Sequence, residues 1–144
     1  MDKQVLFQKF VAFTTSVHEV TDELTKDVKS DTITPVQYSI LEYLAVSQPA
    51  TLSQISDCLP MSMPNTSREL RKLGEKNLCE KFDVAEDRRK QYIRLSKEGQ
   101  AMMNEAFQRI EKRFLQRIQG TSEEDLEQIE LALDVLSSRV FHSR

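Results

Sequence analysis

Glu86-Asp87-Arg88-Arg89-Lys90 stands between two short runs of period-two character. In the first, Leu78, Glu80 and Phe82 alternate with Cys79, Lys81 and Asp83; in the second, Ile93 and Leu95 alternate with Tyr92 and Arg94. That period marks strands, so the segment from Val84 to Lys90 reads as the turn of a β-hairpin. Three adjacent cations on a tight turn repel one another unless an anion meets them. Just upstream, a helix from Met63 to Lys76 turns Thr66, Leu70 and Leu73 inward. It points Pro64, Arg68, Arg71 and Glu75 outward, with Lys72 beside them. Two neighbouring basic elements point to a polyanion, and the DNA backbone fits them best.

Working outward, Thr51-Leu52-Ser53-Gln54-Ile55 opens a short helix with Leu52, Ile55 and Leu59 inside, broken at Pro60-Met61-Ser62. Thr34-Pro35-Val36-Gln37 supplies an N-cap, a first-turn proline and a capping-box glutamine for the preceding helix, which stops near Pro49. Asn77 suits a left-handed helix stop. Residues 2–29 carry Leu6, Phe10, Phe13, Val17, Val20, Leu24 and Val28 at spacings of three and four, one stripe on a long helix. Ser96 caps a further helix striped by Met103, Phe107, Ile110, Phe114 and Ile118 and ending at Gly120. Thr121-Ser122-Glu123-Glu124 reads as a capping box for a last helix that buries Leu126, Ile129, Leu133, Leu136 and Val140. The fold class is mainly α with a small hairpin wing, in the order α-α-α-α-β-β-α-α. No internal repeat or low-complexity linker interrupts it.

The totals agree. A chain of 144 residues fits one domain, 39% hydrophobic content supports a core, and only 3 glycines and 4 prolines favour helix. No apolar run approaches the roughly 18 residues of a membrane span. The start has no signal-peptide pattern, so a cytoplasmic location without membrane partners is expected. The net charge is −3, but Ser62 to Lys97 holds ten Lys/Arg against six Asp/Glu, which is +4 and leaves −7 elsewhere. Cys58 and Cys79 form neither a disulfide framework nor a metal spacing.

Two short helices joined by a tight break and followed by a hairpin make a winged helix-turn-helix. Its second helix can enter the major groove, about 12 Å wide, with its N-terminal residues against base edges. The candidate contacts there are Ser62, Asn65, Ser67, Arg68, Arg71 and Lys72. Arginine can bond guanine and asparagine adenine, each bidentately, while serine mostly serves phosphates. The hairpin tip, with Arg88, Arg89 and Lys90, reaches the adjacent minor groove, whose negative potential favours an inserted arginine.

The run Asp87-Arg88-Arg89-Lys90-Gln91-Tyr92-Ile93-Arg94-Leu95-Ser96-Lys97-Glu98-Gly99 resembles the wing signature of the MarR family of multiple-antibiotic-resistance regulators. Ser67-Arg68-Glu69-Leu70-Arg71-Lys72-Leu73, with Asn77-Leu78, is similar to that family's recognition helix and its exit. The resemblance covers the chain in element order and is specific over roughly 52–99. It implies a homodimeric, sequence-specific binder of double-stranded DNA. Residues 1–31 and 96–144 would form the dimerisation helices, and 34–95 the DNA-binding lobe. A two-fold dimer presents two recognition helices about 34 Å apart, hence an inverted-repeat operator and repression by blocking promoter access. By the same resemblance Asp87 orients a neighbouring arginine and Arg89 probes the minor groove. Asn77 and Val84 depart from the family's usual glycine and Asp-Pro style turn.

Many relatives release DNA when a small aromatic or amphipathic ligand enters a crevice beside the DNA-binding lobe. His18, Tyr38 and Tyr43 are the candidate residues for that pocket here. Tyrosine packing with a satisfied hydroxyl is the plainer reading of the last two. The first helix lacks the cysteine of oxidation-sensing relatives. His18 and His142 are too few for an imidazole-rich metal site, so neither metal nor cofactor is expected. A winged-helix module docking an acidic protein partner is the alternative. An enzyme fits least, because no phosphate-binding glycine loop, nucleophile motif or His/carboxylate cluster is present.

Overall fold

A computed structural model of the chain describes residues 1–84 and 87–141, without the side chains of Asp87 and Arg88. The readings of Glu86, of His142 and of those two side chains therefore fall outside the described residues. The elements are α1 (Lys3–Thr25), α2 (Pro35–Ser47), β1 (Ala50–Thr51), α3 (Leu52–Cys58), α4 (Met63–Glu75), β2 (Cys79–Val84), β3 (Asp87–Leu95), α5 (Lys97–Arg117) and α6 (Glu123–Arg139). The chain divides into two compact units, 1–111 and 112–144.

Local chemistry sets most of these boundaries. Thr34 Oγ1 accepts from the Gln37 amide at 3.2 Å, and the Gln37 side chain accepts from the Thr34 amide at 3.1 Å, closing a capping box on α2. Thr51 and Gln54 repeat the device on α3. Ser62 caps α4, and α4 ends in a left-handed Asn77 with φ 59°. There the Leu78 amide reaches back to the Leu73 carbonyl at 2.9 Å, a bond that satisfies a helix end. The first helix is shorter than its stripe predicts. It stops at Thr25, and Asp27 at φ 57° turns the chain so that Val28 enters the core off the helix. Ser122, not Thr121, caps α6, with Asp125 donating its amide at 3.1 Å.

The sheet has strand order β1-β3-β2, all antiparallel. Its third strand, β1, was not expected: Ala50 and Thr51 face Ile93 and Tyr92. The wing also differs from the hairpin read from sequence, because β3 already begins at Asp87. Asp83 faces Gln91 while Val84 faces Asp87, so the register jumps and Arg88, Arg89 and Lys90 have no facing residue on β2. The three cations occupy a bulge within β3 rather than a bare turn.

In the first unit the core is built from Ile40, Leu41 and Leu44 of α2, Ile55 of α3, Leu70 and Leu73 of α4, Ile93 and Leu95 of β3, and Met103 of α5. Each such side chain contributes about 1.5–3 kcal/mol by leaving water. Ser96 ties three elements at their junction. Its hydroxyl donates to the Asn77 carbonyl and accepts from the Gly99 amide at 3.0 Å, and its own amide donates to the Leu78 carbonyl at 3.0 Å. A Cβ on Gly99 would lie 2.0 Å from that same carbonyl oxygen, so only glycine fits there.

The second unit holds the end of α5 and all of α6. The apolar stripe of α6, a helix expected to pair with a second copy, is covered only in part within one chain. Leu126 and Leu136 are half-buried, but Ile129, Leu133 and Val140 are exposed, the last beyond the helix end. Likewise Leu6, Phe13 and Val17 of α1 are 50%, 42% and 44% exposed. Periodicity places these residues on one face without telling which chain covers it. No helix among the described residues is long and apolar enough to cross a membrane.

Candidate nucleic-acid interface

Helix α4 separates its faces as the sequence predicts. Thr66, Leu70 and Leu73 are buried, while Asn65, Arg68, Arg71 and Lys72 are exposed and Ser67 is half-buried. The cap fixes the start: Ser62 Oγ accepts from the Asn65 amide at 3.3 Å, and Thr66 Oγ1 donates to the Ser62 carbonyl at 2.9 Å. Ser62 therefore shapes the helix entrance as well as standing at its surface. One turn on, an Arg68 Nη2–H donates to Asn65 Oδ1, coupling two of the candidate base readers.

Within this basic face lies a carboxylate that the sequence reading passed over. Glu69 Oε1 is 3.5 Å from Lys72 Nζ, and its Oε2 accepts from Gln37 Nε2 at 3.0 Å. Lys76 Nζ donates to Gln37 Oε1 at 3.1 Å and to the Thr32 carbonyl at 2.6 Å. The Glu69–Lys72 spacing of three was the available signal for half of this network. The buried glutamine behind it gave none.

On the wing, Arg89 and Lys90 are exposed within the bulge, and Arg88 shares its backbone position. Asp87 and Arg88 are placed there by backbone alone. Arg94 is engaged otherwise: its Nε donates to Glu80 at 2.7 Å and its guanidinium lies 4.4 Å from the Phe82 ring centroid. Phe82 in turn packs across the strands against Tyr92, centroids 6.0 Å apart. These contacts stiffen the hairpin stem below the cations. Between α4 and the wing runs a groove of about 470 Å³ floored by Leu70, Cys79 and Ile93 and edged by Arg71 and Lys81.

The three candidate effector residues are not brought together in the cavities described. His18 is exposed on α1 and lies 3.6 Å from Asp22, one turn on. Tyr38 packs against the core with its hydroxyl shielded, and no acceptor there has full hydrogen-bond geometry. Burial first, and the Glu42 carboxylate near it second, push the Tyr38 phenol up to about 12. Burial first, then the Cys58 sulfur, raise the Tyr43 phenol. Cys58 is exposed, whereas burial pushes the Cys79 thiol up to about 12. Among the described residues no group of three or more His, Cys, Asp or Glu is placed to hold a metal ion.

Comparison with known proteins bears on this geometry. Residues 33–90 match the model described as the MarR family. The HTH-type transcriptional regulator MhqR of Bacillus subtilis is 23% identical over 137 residues, covering 94% of each chain. A MarR family protein from Bacillus stearothermophilus superposes with a TM-score of 0.78 at 15% identity, over 96% of both chains. Staphylococcus aureus MepR, in a structure bound to ethidium bromide, aligns with a TM-score of 0.64 at 25% identity, over 89% of this chain and 93% of that one. A mutant MepR bound to an oligodeoxyribonucleotide aligns with a TM-score of 0.58 at 24% identity, over 96% and 97%.

Proposed function

We propose that this chain, whose residues 33–90 match the MarR family model, is a transcription regulator of that family and not an enzyme, and that it binds double-stranded DNA sequence-specifically as a homodimer. One observation carries the reading: Arg68, Arg71 and Lys72 stand exposed on the face of α4 opposite its buried Thr66, Leu70 and Leu73. A helix docked by its apolar face and cationic on the other suits the major groove, with its first turns against base edges. The wing bulge adds Arg89 and Lys90, and Arg88 with them, for the neighbouring backbone and minor groove. Asp87 is assigned the role of orienting an arginine of that bulge.

Dimerisation is supported by the apolar side chains that one chain leaves in water. Leu6, Phe7, Phe13 and Val17 of α1 and Ile129, Leu131, Leu133 and Val135 of α6 are all at least 42% exposed. Apolar exposure on this scale marks an interface. A two-fold pair then favours an inverted-repeat operator and repression by promoter occlusion. MepR, seen with an oligodeoxyribonucleotide and with ethidium, supports a DNA partner and a small aromatic or amphipathic ligand; on the proposed reading such a ligand lowers DNA affinity. Tyr38, Tyr43 and His18 remain the residues assigned to that ligand, Tyr38 foremost because its hydroxyl is shielded and makes no hydrogen bond of full geometry.

The test is selection of random duplexes by the purified chain. A two-fold symmetric consensus, with affinity falling steeply as salt rises, is expected. Uniform recovery of all sequences, or no binding at low ionic strength, refutes the reading.

A further inference from the structure

Gln37 lies on α2, is 2% exposed, and its side-chain amide bonds three residues, Thr34, Glu69 and Lys76. Its Oε1 accepts from the Thr34 amide and from Lys76 Nζ, both at 3.1 Å, and its Nε2 donates to Glu69 Oε2 at 3.0 Å. Its own main-chain amide completes the capping box. Glu69 sits in the middle of the cationic helix and Lys76 is its C-cap, so one buried amide grips α4 at two points nearly two turns apart. Glu69, held from behind, has its other oxygen 3.5 Å from Lys72 Nζ at the surface. The donor and acceptor ends of Gln37 are thus both committed, which leaves the side chain a single orientation.

We propose that Gln37 is a positioning residue for DNA binding: through Glu69 and Lys76 it fixes the pose of α4, and through Glu69 the place of Lys72. The proposal rests on the DNA-binding reading above. Gln37 is buried behind α4 and acts only through residues that reach the surface. Glu69 has a purpose here that its charge alone would not suggest. A lone carboxylate on a DNA-facing helix repels phosphate, but this one is neutralised between an amide donor and a lysine.

A double-mutant cycle tests it, using the full chain and a duplex selected by the wild type. Gln37→Glu removes the Nε2 donor and sets a carboxylate against Glu69, while keeping acceptors for Thr34 and Lys76. In the Glu69 background it is expected to weaken binding about tenfold, since one buried partner now repels the other. In the Glu69→Gln background the amide at position 69 can donate back, and the same substitution is expected to change affinity less than about threefold. Any general effect of a new negative charge on DNA appears in both backgrounds and cancels. Helical circular dichroism confirms that all four proteins are folded at the assay temperature. If Gln37→Glu unfolds, the near-isosteric Gln37→Met takes its place, with the same expected dependence on Glu69. Equal losses in the two backgrounds, or no loss in either, overturn the proposal while leaving DNA binding intact. A wild type that shows no preference for its selected duplex overturns both.

Discussion

At Gly99 a single hydrogen atom in place of a side chain decides whether three elements can meet. The Leu78 carbonyl oxygen occupies the space of any Cβ, and that oxygen cannot move freely because the Ser96 amide donates to it at 3.0 Å. Gly99→Ala must therefore shift backbone, and it is expected to cost about 3 kcal/mol in urea unfolding. An unchanged midpoint would show that the helix start can slide. Two buried acids give a second prediction. Burial holds the Cys79 thiol and Tyr38 phenol near 12, above their ordinary 9.0 and 10.0. Both keep their protons in the fold and lose them sooner when unfolded. That contribution to stability is complete below about pH 9 and is lost as pH climbs toward 12. The urea midpoint should fall between pH 8 and pH 10.5, less steeply in Cys79→Ala; parallel curves for the two proteins would contradict the assignment.

Elements show where sequence signals end. Two caps were legible because a capping serine or threonine acts within four residues: Thr34 with Gln37, and Ser96, hold as read, while the structure adds Thr51 with Gln54 and Ser62. The faces of α4 were legible because a docked helix must repeat its apolar side every 3.6 residues. Two residues of β1 were not, since Ala50 and Thr51 form a strand only against Ile93 and Tyr92 some forty positions later. The wing bulge escaped for a related reason: Arg88, Arg89 and Lys90 carry no apolar alternation that could reveal a register. Nor does any periodicity announce that Gln37 bonds Glu69. Arg89→Ala should weaken operator binding and lower the slope of log affinity against log salt by about one unit. A salt titration identical to wild type would remove the wing from the interface. Ser96→Ala should cost about 1–2 kcal/mol, because one hydroxyl serves both the exit of α4 and the start of α5.

Over the whole molecule, charge and apolar exposure are divided along the sequence. The segment 62–97 is +4 and the rest is −7, so on the proposed reading phosphates would attract the α4 face and wing and repel the acidic remainder. Apolar side chains left in water are concentrated on α1 and α6, in that acidic remainder. Leu133, 54% exposed on α6, tests whether a second chain covers them. In an isolated chain Leu133→Asp puts a carboxylate into water and should leave unfolding unchanged. Across a helical interface the same carboxylate loses its hydration without a partner, at a cost of about several kcal/mol. Light scattering should then show a monomer for the variant and a dimer for the wild type. Loss of the second half-site should lower operator affinity about 100-fold or more, because linked binding is gone. A variant that stays dimeric at the same concentrations removes Leu133 from the interface; a monomer that binds the operator as tightly as wild type removes pairing from recognition.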